Sequence, residues 1–195
     1  MKQPFLPNQV NVLPQGTQKI SIIGCGGTGK STLARQLGQI TGLPVVHLDR
    51  IFWKPNWQSI SREEMNHRIQ EQIANPAWII DGNYSITMPG RLEASDVVIF
   101  LDFPRGIALY NVLKRRLVYH NRSRLDMADG CKEKIDGEFL KWIWNFNKTH
   151  RSRYYQTLAV SGKPVVILES HRQVKRFVDS LKSLNMKREI NPHTA

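Results

Sequence analysis

Cysteine is nearly missing: Cys25 and Cys131 are the only two among 195 residues. That is no basis for a disulfide framework, and the histidines have no metal-ligand spacing that would make a zinc site with them. Both are read as reduced thiols. Long apolar runs are missing too. Nothing approaches the roughly 20 residues of a membrane span, and residues 1–18 lack the apolar core of a signal peptide, so a cytoplasmic location with no membrane partner is expected. Acidic residues are scarce, 16 against 28 Lys and Arg, which leaves a formal net charge of +12. Two explanations compete for that surplus. A basic surface attracts nucleic acid without reading its sequence, and a site that handles several substrate phosphates also needs many cations. The charges gather between Lys114 and Arg153 and again at Arg172, Lys175, Arg176, Lys182, Lys187 and Arg188. The second group reads as a solvated helix face. No helix-turn-helix, zinc-finger or RNA-binding signature is visible, so a nucleic-acid partner has only electrostatics behind it.

What is present is a glycine loop. Gly24-Cys25-Gly26-Gly27-Thr28-Gly29-Lys30-Ser31, followed by Thr32, fits G-x-x-x-x-G-K-[ST]. An apolar run, Ile20 to Ile23, leads into it, and Leu33, Leu37 and Ile40 follow at helical spacing. Strand, glycine loop and helix are what phosphate binding requires. Glycines let consecutive N–H groups point inward at phosphate oxygens, and the helix adds its positive end. Lys30 then reaches the β- and γ-phosphates, and the Ser31 hydroxyl coordinates Mg²⁺. ATP and Mg²⁺ are the expected ligands.

Along the chain, residues 1–18 show neither helical nor strand period and are expected to be a flexible leader. A single domain should span 19–186, with a flexible tail at 187–195. Val45 to Leu48 reads as a second strand ending at Asp49-Arg50. Ser61-Arg62-Glu63-Glu64 is a capping box for a helix with Met65, Ile69 and Ile73 on one face. Trp78-Ile79-Ile80, Val97 to Leu101 and Val165 to Leu168 supply three more strands. Pro104 opens a helix whose expected buried stripe is Leu109, Val112, Leu113 and Leu117, and Phe139, Trp142, Ile143 and Phe146 mark another. Residues 118–136 have little periodicity and read as a mobile segment. Five short, continuously apolar strands separated by helices predict an α/β, three-layer fold with a parallel sheet covered on both faces. Ligands in such folds collect beyond the carboxyl ends of the strands. There the chain places the glycine loop, Asp49 with Arg50, Asp81 to Tyr84, Asp102 with Arg105, and Glu169 to Arg172.

The loop, Asp81-Gly82 ending the third strand, and the Leu101-Asp102-Phe103-Pro104 turn resemble the adenylate-kinase-like nucleoside and nucleotide kinases. More closely, His47-Leu48-Asp49-Arg50, Trp78 to Tyr84, Phe100 to Arg105 and Phe139 to Phe146 resemble the bacterial group labelled DNA topology modulation proteins. The resemblance implies a five-stranded P-loop NTPase sheet in the order 2-3-1-4-5 and a helical lid at about 115–153. It places Asp81 beside Mg²⁺, usually through water; the alternative is an N-cap for the segment after Gly82. Asp49 either takes a proton from an acceptor hydroxyl or forms a local surface pair with Arg50, and Arg50 could grip an acceptor phosphate or carboxylate. Asn83, Tyr84 and Arg91 complete the acceptor side. Adenylate kinases proper carry an arginine just after the third-strand Asp-Gly; here that position reads Asn83-Tyr84-Ser85, and the next arginine is Arg91. Arg115, Arg116, Arg151 and Arg153 match the lid arginines that meet the charge of the moving phosphoryl group. Arg122 and Arg124 either join them or only solvate the loop. His171 and Arg172 fall in the adenine-contacting segment. The expected activity is Mg²⁺/ATP-dependent phosphoryl transfer to a small acceptor. The other reading is an ATP-binding, DNA-associated regulator.

Overall fold

The computed structural model describes residues 6–120, 124 and 126–190. Arg122, the first five residues of the expected leader and residues 191–195 of the expected tail lie outside them. Five parallel strands form the main sheet: β1 (Lys19–Gly24), β2 (Val45–His47), β5 (Trp78–Asp81), β6 (Val97–Leu101) and β7 (Val165–Leu168). They lie in the order β2-β5-β1-β6-β7, which is 2-3-1-4-5 when only the sheet strands are counted. Between β2 and β5 a two-stranded hairpin, β3 (Trp53–Lys54) and β4 (Gln58–Ser59), turns through a 3₁₀ segment at Pro55–Trp57.

The helices cover both faces because the strands are apolar on both. On one face α1 (Lys30–Thr41) and α8 (His171–Ile190) bury Leu33, Leu37, Phe177 and Leu181 against Ile20, Ile22, Ile99 and Leu101. On the other, α4 (Met88–Ala94) and α7 (Arg151–Ser161) set Met88, Leu92, Tyr155 and Leu158 against Ile23, Val98 and Phe100. The third strand carries α3 (Arg62–Ala74), whose Met65, Ile69 and Ile73 pack on Trp78 and Ile80. Ser61 caps that helix by accepting the Glu64 N–H at 3.0 Å.

Several expectations change. Asp49 and Arg50 do not end a strand; they lie in α2 (Leu48–Phe52), a short helix that begins directly after β2. Helix α5 (Arg105–Val118) buries Ala108 and Val112, whereas Leu113 and Leu117 are exposed. Its inner face is set by the glycine loop and by α6 (Gly137–Thr149), which meet Ala108 and Val112. The leader is docked over residues 6–18. Leu6 is buried, the Val10 N–H donates to Val165 O at 2.8 Å, and Asn8 donates to Leu158 O at 3.1 Å. An edge strand's unpaired backbone attracts such a partner. Residues 187–190 continue α8.

The segment before α6 lies over the sheet's carboxyl edge and touches the hairpin. The Trp57 indole N–H donates to Lys132 O at 3.0 Å, the Cys131 thiol donates to Lys54 O at 3.2 Å, and a Cβ added to Gly130 would stand 3.2 Å from Pro55. Among the described residues, no helix is long and apolar enough to cross a membrane.

Candidate active site

The carboxyl edge opens into a cleft of about 970 Å³. The glycine loop forms its floor. Gly27 has φ of 79°, and a Cβ there would come 2.4 Å from Ala108 O, so close approach and left-handed backbone both demand glycine. Gly24 and Thr28 stand behind the loop. Thr28 donates its hydroxyl to Cys25 O at 2.8 Å, bracing the curl. Gly26, Gly27, Gly29, Lys30, Ser31 and Thr32 face the cleft.

Lys30 folds back, its Nζ donating to Gly24 O and Cys25 O at 3.0 Å each. Burial pushes its ammonium below the usual lysine range, and the charge of Asp81 opposes that shift. The Ser31 hydroxyl donates to Asp81 Oδ2 at 2.7 Å, and His47 Nδ1 contacts the other carboxylate oxygen. The hydroxyl, the carboxylate and the inward-facing loop are the hard oxygen donors and anion cradle that Mg²⁺ and a triphosphate require. Burial also pushes the Cys25 thiol up to about 11, so this cysteine stays protonated.

The far end of the cleft is built by β2–α2, the hairpin and the turn after Asp81. Asp49 faces the cleft and accepts the Tyr84 hydroxyl at 2.7 Å. Burial raises its carboxyl above the ordinary aspartate range, opposed by that hydrogen bond. Asn83 Oδ1 accepts the Gly24 N–H at 3.0 Å and its amide reaches Gly24 O, which ties the two carboxyl-end loops together. Both Asn83 and Tyr84 line the cleft.

Six expected arginines lie outside the cleft lining. Arg50 is exposed and outside the cleft lining, because α2 turns it outward. Arg91 is fully buried behind the sheet edge; it donates to Gly82 O at 3.2 Å, and desolvation lowers it to about 10. Arg151 is locked on Asp102, with Nε 2.9 Å from both carboxylate oxygens and Nη2 2.6 Å from Oδ2, while the Tyr155 hydroxyl donates to Oδ2 at 2.7 Å. Arg116 sits beside His120 at 3.0 Å, and Arg153 is exposed on α7; neither reaches the cleft. Arg172 is exposed at the start of α8, whereas His171 lines the cleft, 3.2 Å from Asn111.

Arg115 does line it, its Nε donating to Glu133 Oε1 at 2.7 Å. Burial, then the Arg124 charge, push its guanidinium down. Arg124 bridges Asp126 at 2.8 Å and Glu133 at 2.7 Å. Asp126 is buried, which opposes its ionisation, but the Arg124 charge holds it below the usual range. Sequence reasoning left Arg124 open and passed over Asp126, Glu133, Arg35 and Asn111. The alternation of charges in Arg124, Asp126 and Glu133 was the available signal. The aromatic pair Phe139 and Trp142 on α6 also faces the loop; a Cβ on Gly26 would meet Phe139 at 2.8 Å.

No family model and no curated protein matches the sequence. Solved structures do match its shape. A shikimate kinase from Acinetobacter baumannii, in complex with shikimate, is 14% identical with a TM-score of 0.56, over 91% of this chain and 97% of that one. A shikimate kinase from Aquifex aeolicus is 15% identical with a TM-score of 0.53, over 89% and 98%. A gluconokinase from Sinorhizobium meliloti 1021 is 11% identical with a TM-score of 0.52, over 91% and 96%. The fold is therefore that of the P-loop kinases.

Proposed function

We propose that this chain is a Mg²⁺/ATP-dependent phosphotransferase acting on a hydroxyl of a small molecule. The observation that carries the reading is the single cleft shared by a complete phosphate cradle, at Gly26 to Thr32, and a buried carboxylate, Asp49, on the opposite wall. Lys30 leaves its two loop carbonyls to hold the β- and γ-phosphates, and the loop N–H groups orient them. Ser31 and Asp81 are the residues that would hold the metal, which supplies charge neutralisation of the phosphate oxygens. Asp49 orients the acceptor hydroxyl. The hydroxyl oxygen bonds to the γ-phosphorus, the bond to the β,γ-bridging oxygen breaks, ADP leaves with that electron pair, and the proton passes to Asp49. Arg115 and Arg124 are the cations positioned to meet the developing charge and, with the segment above them, to exclude water.

The kinship with DNA topology modulation proteins remains part of this proposal, since the four sequence blocks that carry it include Asp49, Asp81 and Tyr84. A nucleic-acid role has net charge alone in its favour. The test is Lys30→Ala. ATP-dependent phosphorylation falls to background while the circular dichroism spectrum stays that of the wild type. Full turnover by this variant would refute the mechanism.

A further inference from the structure

The acceptor end of the cleft differs in chemistry from its phosphate end. Phe52, Trp53, Trp57 and Tyr84 form a continuous aromatic wall there: Phe52 lies 4.8 Å from Tyr84 and 4.9 Å from Trp53, and Trp53 lies 5.3 Å from Trp57, all between ring centroids. Trp57 is held at φ of 61°, a left-handed backbone that a bulky side chain rarely adopts. It stays there because its indole N–H is tied to Lys132 O and the Lys134 ammonium lies 4.9 Å over its ring. Strain maintained beside a site marks a side chain whose direction matters.

Most arginines of the cleft region are engaged elsewhere. Arg50 points outward, Arg91 is sealed behind Gly82, and Arg35 lies 4.0 Å from Asp126. Arg115 and Arg124 are bound to Glu133 at the phosphate end. Among the described residues, the acceptor wall keeps two exposed cations at its rim, Arg62 and the Lys134 that lies over the Trp57 ring, and one buried charged group within, the Asp49 carboxylate. A phosphate or carboxylate placed inside that rim, beside Asp49, would lose water and meet a buried like charge, while Arg62 and Lys134 stay solvated at the rim. A neutral hydroxyl would instead donate to Asp49, while a flat ring would pack against the indoles.

We propose that the acceptor is a neutral, ring-bearing alcohol of about nucleoside size, and that Trp53 and Trp57 select it by packing against the face and the edge of its ring. Phosphomonoesters, acidic polyols and carboxylated rings are the compounds this wall rejects. The inference rests on the phosphotransferase reading above, and the measurements separate the two. Calorimetry of the full chain with Mg²⁺ and a non-hydrolysable ATP analogue reads the donor site alone; no binding there would overturn the phosphotransferase reading and this inference with it.

ADP release and the mass of the product are then followed with thymidine and adenosine, their 5′-monophosphates, shikimate and gluconate. At least one nucleoside is phosphorylated, with a kcat/KM about tenfold or more above that of its monophosphate and of the two acids. In Trp53→Leu and Trp57→Leu, each checked for a wild-type circular dichroism spectrum, the nucleoside KM rises about tenfold and analogue binding is unchanged. Should either variant fold poorly, quenching of wild-type tryptophan fluorescence by the nucleoside reports the same contact. Preference for a monophosphate, shikimate or gluconate, failure of both nucleosides to raise ADP release, or an unmoved KM in the folded variants would each overturn the assignment while leaving the donor site intact.

Discussion

Arg151 distinguishes a lid residue from a structural one, and its replacement by alanine separates the two by measurement. Its guanidinium makes contacts of 2.6 to 2.9 Å to Asp102, whose side chain is 1% exposed; the Arg151 side chain is 18% exposed. That partner holds Arg151 above its usual pKa. Removing one member of a buried ion pair strands the other charge at a cost of about 3–5 kcal/mol, and the partial exposure of Arg151 argues for the lower end, about 3 kcal/mol. For a domain of this size each kcal/mol shifts Tm by about 2–4 °C, so Arg151→Ala should melt about 6–12 °C lower. Its kcat at 20 °C should stay within about threefold of wild type, because the side chain faces Asp102 and not the cleft. Restoring a matched apolar surface with Asp102→Leu/Arg151→Met should recover part of the loss. Scanning calorimetry and ADP release are the two assays. A variant that keeps its Tm but loses on the order of 10³ in rate would restore Arg151 to the lid and refute the reasoning.

Asp49→Asn should lose about 10²–10⁴ in transfer rate. It should also be more stable than wild type at pH 7. Burial raises the Asp49 carboxyl in the folded state, so the fold binds that proton more tightly than the unfolded chain. Wild-type stability therefore falls as pH rises from about 3.9, the unfolded value, through the higher folded one. The stability gap should close toward pH 3 in denaturant melts, and in the wild type the rate should drop as pH falls through that raised folded value. An asparagine variant less stable at pH 7 would contradict this. Leu6→Ala, at a residue 3% exposed, should cost about 2–3 kcal/mol by urea unfolding; no loss would mean that the docked segment contributes nothing.

The parts legible in sequence were those with a local cause. Continuous apolar runs gave the five sheet strands, Ser61 marked its helix start, and the glycine spacing located the cradle, Lys30 and Ser31. Asp81 was legible because its strand ends beside the loop. The fates of the arginines were not. Whether Arg151 meets a nucleotide or Asp102 depends on where α7 crosses the sheet, a tertiary distance that periodicity does not encode. Arg50 turned outward because Leu48 starts a helix where a continuous apolar run suggested strand. The hairpin at Trp53–Ser59 has strands of two residues, too short for a period, and α4 opens on Met88-Pro89-Gly90, which weakens any helical signal.

The contact between the hairpin and the segment before α6 has a kinetic consequence. Two neutral hydrogen bonds cross it, from Trp57 to Lys132 and from Cys131 to Lys54. At about 1 kcal/mol net each, they contribute roughly 2 kcal/mol to that contact, a factor of about thirty in its favour. That is a latch weak enough to open on thermal motion alone.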